Sequence, residues 1–375
     1  MSSMKRLVLL GGGHSHVEVL RRFGTDPISG VELVLVSPYS DSPYSGMLPG
    51  WIAGHYTRDE CHIDLVRLTR FANSRFIRSA CNGINPEARL VFCENGTTLA
   101  YDAVSVDTGA GSPAFDIPGA PEHTLPVKPV EHFVPAWEEI CKRTVNGQAP
   151  RRIAVVGGGA AGVEVLLALQ NRLHRLAPAS AISFELISDT ESILVAHNNT
   201  VRRVFMRVLQ QRGVTLHLGR AVERVDSGRL RLRGGGGIEA DTIVWATGAS
   251  APLWPRSVGL ATDKRGFMLV NEQLQSVSHP QVFAAGDIAS VRNHPRPKSG
   301  VYAVRAGPPL AENLRRMLRG EQLLEWKPQK EALALISTGD RYAVASRGTL
   351  TLEGKWVWRW KDWIDRRFMK RYEMP

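Results

Sequence analysis

Two glycine clusters lie 146 residues apart, each where a chain could cradle a diphosphate. Residues 11–20 read GGGHSHVEVL and residues 157–166 read GGGAAGVEVL. Each follows a short apolar run, LVLL at 7–10 and IAVV at 153–156, and each opens a stretch with helical spacing. Strand, glycine turn and helix in that order begin a dinucleotide-binding βαβ unit. The first glycine permits the tight turn, the second lets the backbone approach the diphosphate, and the third lets helix and strand pack closely. Gly157, Gly159 and Gly162 fill all three positions. Gly11, Gly12 and Gly13 open the first copy, with His14 and Ser15 behind them, but His16 stands at the third position and predicts a helix set slightly away from its strand. Backbone N–H groups and the helix dipole would hold the diphosphate at both turns. Two dinucleotides held face to face pass electrons from a nicotinamide to a flavin.

Other residues extend the two sites. The second strand of each copy ends in serine, Ser37 before Pro38 and Ser188 before Asp189. Serine there offers ribose a hydrogen bond without a charge; Asp189, with no basic residue at 186–192, leans towards NADH over NADPH. Each half then reaches a hairpin and a strand ending in a Thr-Gly turn, Thr108–Gly109 after Asp107 and Thr247–Gly248 after Ala246. Gly286 and Asp287 close a later strand, and a carboxylate there can accept a hydrogen bond from the ribityl chain of FAD. Past Lys298, a helix from Gly300 and Val301 would aim its N–H groups at the pyrimidine edge of the isoalloxazine and stabilise charge on the reduced ring. His14 and His16 read as packing or phosphate-touching residues rather than as proton-transfer groups.

These motifs require an α/β fold with two Rossmann-like dinucleotide-binding domains of three-layer ββα type, the second inserted in the first, plus a small C-terminal unit. The expected division is 1–112 for the first part of the FAD domain, 113–149 for a proline-rich connector with a helix near 130–144, 150–250 for the NAD(P)H domain, 251–325 for the return to the FAD domain, and 326–375 for an α+β tail.

The chain has 375 residues, 43% apolar and 22% charged, ample for several soluble cores. No apolar run nears the roughly 18–20 residues of a membrane span. The run behind Met1 is too short for a secretory signal, which needs about 7–15, so the expected location is the cytoplasm. Cys61, Cys81, Cys93 and Cys141 include no C-x-x-C pair, and although Cys81 and Cys93 flank one hairpin, free thiols are expected in a reducing compartment. The eleven histidines form no metal-binding spacing, so no metal is expected.

The net charge of +11 concentrates in the tail, where residues 355–371 carry +5 together with four of the nine tryptophans. Trp356, Trp360, Trp363, Ile364 and Phe368 would share one helical face. Such a helix can bury its tryptophans against the protein or an acceptor pocket, the leading expectation, or lie peripherally on the inner face of an anionic membrane. Nucleic acid is not expected as a partner, because no recognised motif accompanies the charge.

The segments LVLLGGGHSHVEVLRRF, PYSGMLPGWIAGHY (43–56), AVVGGGAAGVEVLLAL, VFAAGDIA, PKSGVYAVRAGPPLAENLRR and WRWKDWIDRRFM span nearly the whole chain. Together they resemble the two-dinucleotide flavoproteins of the pyridine nucleotide–disulfide oxidoreductase superfamily, in its type II NADH dehydrogenase-like branch. Within that branch the chain resembles the flavoprotein that forms the N-terminal half of selenide, water dikinase fusions and is also encoded alone. The resemblance implies FAD in the first domain and NAD(P)H in the second. It also implies that Glu164 lies near nicotinamide and flavin as the catalytic carboxylate, that the 43–50 loop approaches the isoalloxazine, and that electrons leave to a quinone or other small acceptor. The alternative it implies is a flavoprotein partner of selenophosphate synthetase in selenium metabolism. Departures narrow the reading: the dithiol of the disulfide reductases and the late cysteine of the sulfide:quinone reductases are both missing.

Overall fold

The computed structural model describes residues 4–374 and contains the same five-stranded parallel sheet twice. In the first, the strands lie in the order Val282–Ala284, Ala103–Val106, Lys5–Leu10, Val31–Ser37, Arg75–Arg78; in the second, Leu125–Pro126, Thr242–Trp245, Arg152–Val156, Ser183–Ile187, Thr215–His217. All-parallel sheets need both faces covered, which is why their strands read as unbroken apolar runs rather than alternating ones. Leu7 to Leu10 and Ile153 to Val156 are accordingly buried.

Register places the chemistry. Leu10 pairs with both Val36 and Val106, and Val106 with Ala284. The residues that follow, Gly11, Ser37, Asp107 and Ala285, therefore lie along one edge of the sheet. Val156 pairs likewise with Ile187 and Trp245, and Trp245 with Pro126, which sets Gly157, Ser188, Ala246 and Val127 along the matching edge of the second sheet. Ligands of open α/β sheets bind outside such carboxyl ends.

The chain returns to the first sheet after the second, since Val282–Ala284 pairs with Ala103–Val106. The connector is more than a link. Its Leu125–Pro126 forms the edge strand of the second sheet, and Phe133, Val134 and Trp137 of the helix Val130–Val145 are buried in the second core. The tail is a three-stranded antiparallel sheet, Ala334–Ser337, Ala343–Arg347 and Leu350–Gly354, followed by the helix Lys355–Met369. Ile336 and Val344 enter the second core, while Phe368, Met369 and Tyr372 enter the first, so the tail straps the two together.

The tail helix corrects one expectation. Its buried stripe is Val357, Lys361, Asp365 and Phe368, whereas Trp356 and Trp363 are 53% and 56% exposed. The inward face carries an ion pair because the loop it covers presents a backbone carbonyl, Gly46 O, to which Lys361 Nζ donates. Among the described residues no helix is long and apolar enough to cross a membrane.

Candidate functional site

A cavity of about 360 Å³ opens along the carboxyl edge of the first sheet. Gly11, Gly12, Gly13 and His14 line it on one side, with Ser37 and Pro38 of the second strand; Thr108, Gly109, Asp287 and Gly300 complete the ring of anticipated residues. The two glycine turns are built alike. Gly11 and Gly157 have φ of +91° and +132°, and a Cβ on either would fall 2.4 or 2.5 Å from the carbonyl oxygen of Asp107 or Ala246. Only glycine fits such a backbone approach at positive φ.

The third positions differ as the residue types demand. A Cβ on Gly162 would lie 1.8 Å from Gly157 O, so nothing larger fits there. His16 is fully buried instead, with Nδ1 2.7 Å from Gly11 O and Nε2 2.8 Å from Ser105 Oγ. The imidazole thus replaces the close glycine contact with hydrogen bonds to turn and strand. Burial lowers its pKa to about 4, which makes it a neutral packing residue.

His14 points towards the 43–50 loop and the tail. The Ser45 N–H approaches its Nε2 at 3.4 Å, and its ring stands 5.6 Å from Tyr44 and 6.3 Å from Phe368. Burial also lowers its pKa to about 4, outweighing the nearby Asp287.

Several anticipated residues sit elsewhere. Ser15 is fully buried, with its N–H donated to Asp107 and its hydroxyl to Ala303 O, so both donors are engaged within the protein. Gly286 lies beneath the Asp107 carboxylate and Lys298 lines a smaller neighbouring cavity, where its ammonium is held by Ala289 O and lies 3.9 Å from the Phe267 ring centroid. Val301 is half-buried in the helix behind Gly300. At the second turn Gly159 is open, with no atom within 4 Å of a built Cβ. Ser188 Oγ shares a 2.8 Å hydrogen bond with Thr190 Oγ1, Thr247 Oγ1 accepts from Trp245 Nε1 at 2.7 Å, and Gly248 has open space around it.

Glu164 faces the tail. Its Oε1 accepts the Ser337 N–H at 2.6 Å, and burial raises its carboxyl to about 7 against the opposing pull of Lys361. Lys361 in turn bonds Asp365 Oδ2 at 2.6 Å; although burial disfavours its charge, Asp365 and Glu164 hold its pKa above the usual lysine value. All four thiols are free, Cys81 at the wall of the cavity, and burial pushes Cys61 to about 12 and Cys81 to about 11, far from thiolate formation at neutral pH.

Motif reading missed three residues. Asp107 carries a buried carboxylate where the second copy has Ala246, a difference visible on laying the repeats side by side. Lys128 of the connector reaches Asp287 Oδ2 at 2.7 Å, and Lys361 is the buried cation of the tail; neither has a local signal. The Lys128 contact leaves Asp287 other lone pairs on the cavity. Asp287→Ala should therefore weaken FAD retention by roughly 1.5–3 kcal/mol, the worth of a charge-assisted hydrogen bond. Equilibrium release of flavin measures this, and an unchanged affinity would remove Asp287 from the site.

The sequence profile of the pyridine nucleotide-disulphide oxidoreductase family matches residues 5–307. Among curated relatives, the NADH dehydrogenase-like protein Rv1812c of Mycobacterium tuberculosis is 26% identical over 244 residues, covering 62% of this chain; the chain spans only 59% of that relative's length. The alternative NAD(P)H-ubiquinone oxidoreductase C1 of Arabidopsis thaliana is 29% identical over 227 residues, which are 54% of this chain and 42% of that protein. Among solved structures, NDH2 of Plasmodium falciparum in complex with NADH shares the fold with a TM-score of 0.79 at 16% identity, over 99% of each chain.

Proposed function

The chain belongs to the pyridine nucleotide-disulphide oxidoreductase family, and on that premise we propose that it is an FAD-dependent NAD(P)H dehydrogenase that delivers electrons to a quinone. One observation carries the reading. The PYSGMLPGWI segment lies between the helices that follow the two turns: Ser45 approaches His14 at the start of the first, Leu48 and Ile52 share a core with Val163 and Leu166 of the second, and Gly46 O accepts from Lys361, whose charge acts on Glu164 of that second helix. Two dinucleotides seated on these turns would meet across that segment.

The first cavity fits FAD by its donors: the N–H groups of the glycine turn ahead of Ser15 for the diphosphate, Ser37 for ribose, Asp287 for the ribityl hydroxyls and the helix end at Gly300 for the ring edge. When bound, FAD supplies the two-electron chemistry, taking hydride from the nicotinamide and giving electrons to the acceptor. The protein supplies position and protons. Quinone reduction consumes protons, and Glu164, with a pKa near 7, can hold and release one next to Lys361.

The relative named for ubiquinone favours that acceptor class. So does the tail: exposed Trp356 and Trp363, the latter with the Arg367 guanidinium 5.2 Å from its ring, form a basic aromatic patch suited to the inner, anionic membrane surface where quinones reside. Replacing Trp356 and Trp363 with serine should reduce sedimentation with anionic vesicles severalfold and leave reduction by NADH intact. Equal vesicle binding by the variant would remove the membrane contact.

The function itself is tested by anaerobic titration of the full chain. The protein should be yellow with about one FAD, bleach with NADH or NADPH, and recover its colour with a quinone analogue. A chain that binds no flavin after reconstitution would sink the proposal. A flavin that is reduced but reoxidised by no quinone would point to electron delivery to a protein partner instead.

A further inference from the structure

The two glycine turns differ at one buried position. The carbonyls of Asp107 and Ala246 are equivalent, each against the first glycine of its turn, but one residue ends in a carboxylate and the other in a methyl group. The Asp107 carboxylate folds back under the first turn. Its Oδ2 accepts the N–H groups of Ser15 at 2.8 Å and His16 at 3.2 Å, in the first turn of the helix His14–Thr25. Gly13 and Gly286 close on it from either side: a Cβ on Gly13 would lie 2.3 Å from its Cγ, and one on Gly286 2.2 Å from its Oδ1. Asp107 is 3% exposed and borders the cavity. The positive end of the helix that a diphosphate would use already holds an anion.

The surrounding charges do not neutralise it. His14 and His16, on the helix whose N–H groups it accepts, are neutral near pH 7 because burial disfavours their protonation. Asp287, from the Gly-Asp turn, adds a like charge, and the cation beside it, Lys128, is paired with Asp287 itself. Lys298 is held by Ala289 O and its charge acts chiefly on Asp287 and Asp263. Asp107 forms no ion pair among the described residues.

We propose that Asp107 is the proton-linked residue of the first dinucleotide site: where it is ionised in the free protein, it takes up a proton from solvent as the FAD diphosphate is seated, exchanging its charge for that of the ligand. The inference rests on the FAD reading above. A protonated carboxyl keeps an oxygen for the Ser15 and His16 N–H groups and gains an O–H donor. Burial and the Asp287 charge, set against those two N–H groups, already hold the free carboxyl at about 7. A diphosphate nearby raises it further, so the bound-state pKa exceeds the free-state one. Affinity is then greatest below the free-state pKa and falls as pH rises above it.

The test is FAD release on dilution of the full-length holoprotein, read by flavin fluorescence at pH 6.5, 7.5 and 8.5. The wild-type dissociation constant should rise about tenfold or more across that range, as expected for two like charges a few ångströms apart. Asp107→Asn should be flat within about twofold and bind more tightly than wild type at pH 8.5. A flat wild-type profile overturns the proposal. So does an unchanged slope in Asp107→Asn, which would assign the titration to another group, Lys298 first among them. Should Asp107→Asn fail to fold, calorimetry of FAD binding to the flavin-depleted wild-type chain, in buffers of different ionisation enthalpy at pH 7.5, decides through the proton count: uptake supports the proposal and none overturns it. A chain that binds no FAD at any pH would overturn the flavoprotein reading, and this inference with it, while binding without pH dependence removes only the role of Asp107.

Discussion

Gly159→Val is expected to fold, keep its FAD and lose reduction by NAD(P)H by roughly a hundredfold or more, since displacing a bound reactant by about 1 Å can cost that much. Gly159 has φ of −77°, which any residue adopts, and a Cβ there meets no protein atom within 4 Å. The valine side chain would project into that open space, where the backbone must approach the diphosphate. Neighbouring positions lack this selectivity. At Gly162 a Cβ would strike the Gly157 carbonyl, and at Gly13 it would strike Asp107, so substitutions there disturb the protein as well as the site. Rapid mixing of the FAD-loaded variant with NADH measures the effect. Reduction at the wild-type rate would mean that the second turn does not hold the reductant.

Lys361→Met should cost about 3–5 kcal/mol of stability, the usual penalty for leaving a buried carboxylate without its cation. The Lys361 and Asp365 side chains are only 10% and 6% exposed, and the same ammonium also satisfies Gly46 O and faces Glu164. Replacing the pair, as Lys361→Met with Asp365→Leu, should recover part of the loss, because an apolar pair of similar volume needs no desolvation of charge while Gly46 O still lacks its donor. Denaturant unfolding of the three chains checks both statements. A loss below about 1 kcal/mol in the single variant would show that the ion pair is hydrated in solution. Because Lys361 anchors the tail on the 43–50 loop, the single variant should also reoxidise more slowly with quinone than it is reduced by NADH.

Much of the nucleotide-binding framework was legible in the residues. The glycine turns, the strands before them and the helices after them depend on neighbours a few positions away, and the repeat of the whole pattern made each copy evidence for the other. The return of the chain at Val282–Ala284 was readable from its Gly-Asp ending. The tail was harder. Its helix has aromatic residues on more than one face, and 3.6-residue periodicity cannot choose between a face rich in tryptophan and one bearing a lysine and an aspartate.

The amino-acid sequence by itself determined two glycine turns between strand and helix, their order and the lack of a C-x-x-C pair, because those follow from backbone sterics and short-range spacing. Only the tertiary structure decided what shares the space around the turns. Asp107 reaches the helix N-terminus across 92 residues, Lys128 reaches Asp287 across 159, and Lys361 reaches Gly46 across 315. The first and last of these exist because a buried charged side chain, Asp107 or Lys361, must find a partner, and the nearest partner in space lies on an element that the parallel register of the sheets or the docking of the tail brings alongside. The repeat was therefore visible in one dimension, but its asymmetry, an anion under one turn and a methyl group under the other, acquired its meaning only in three.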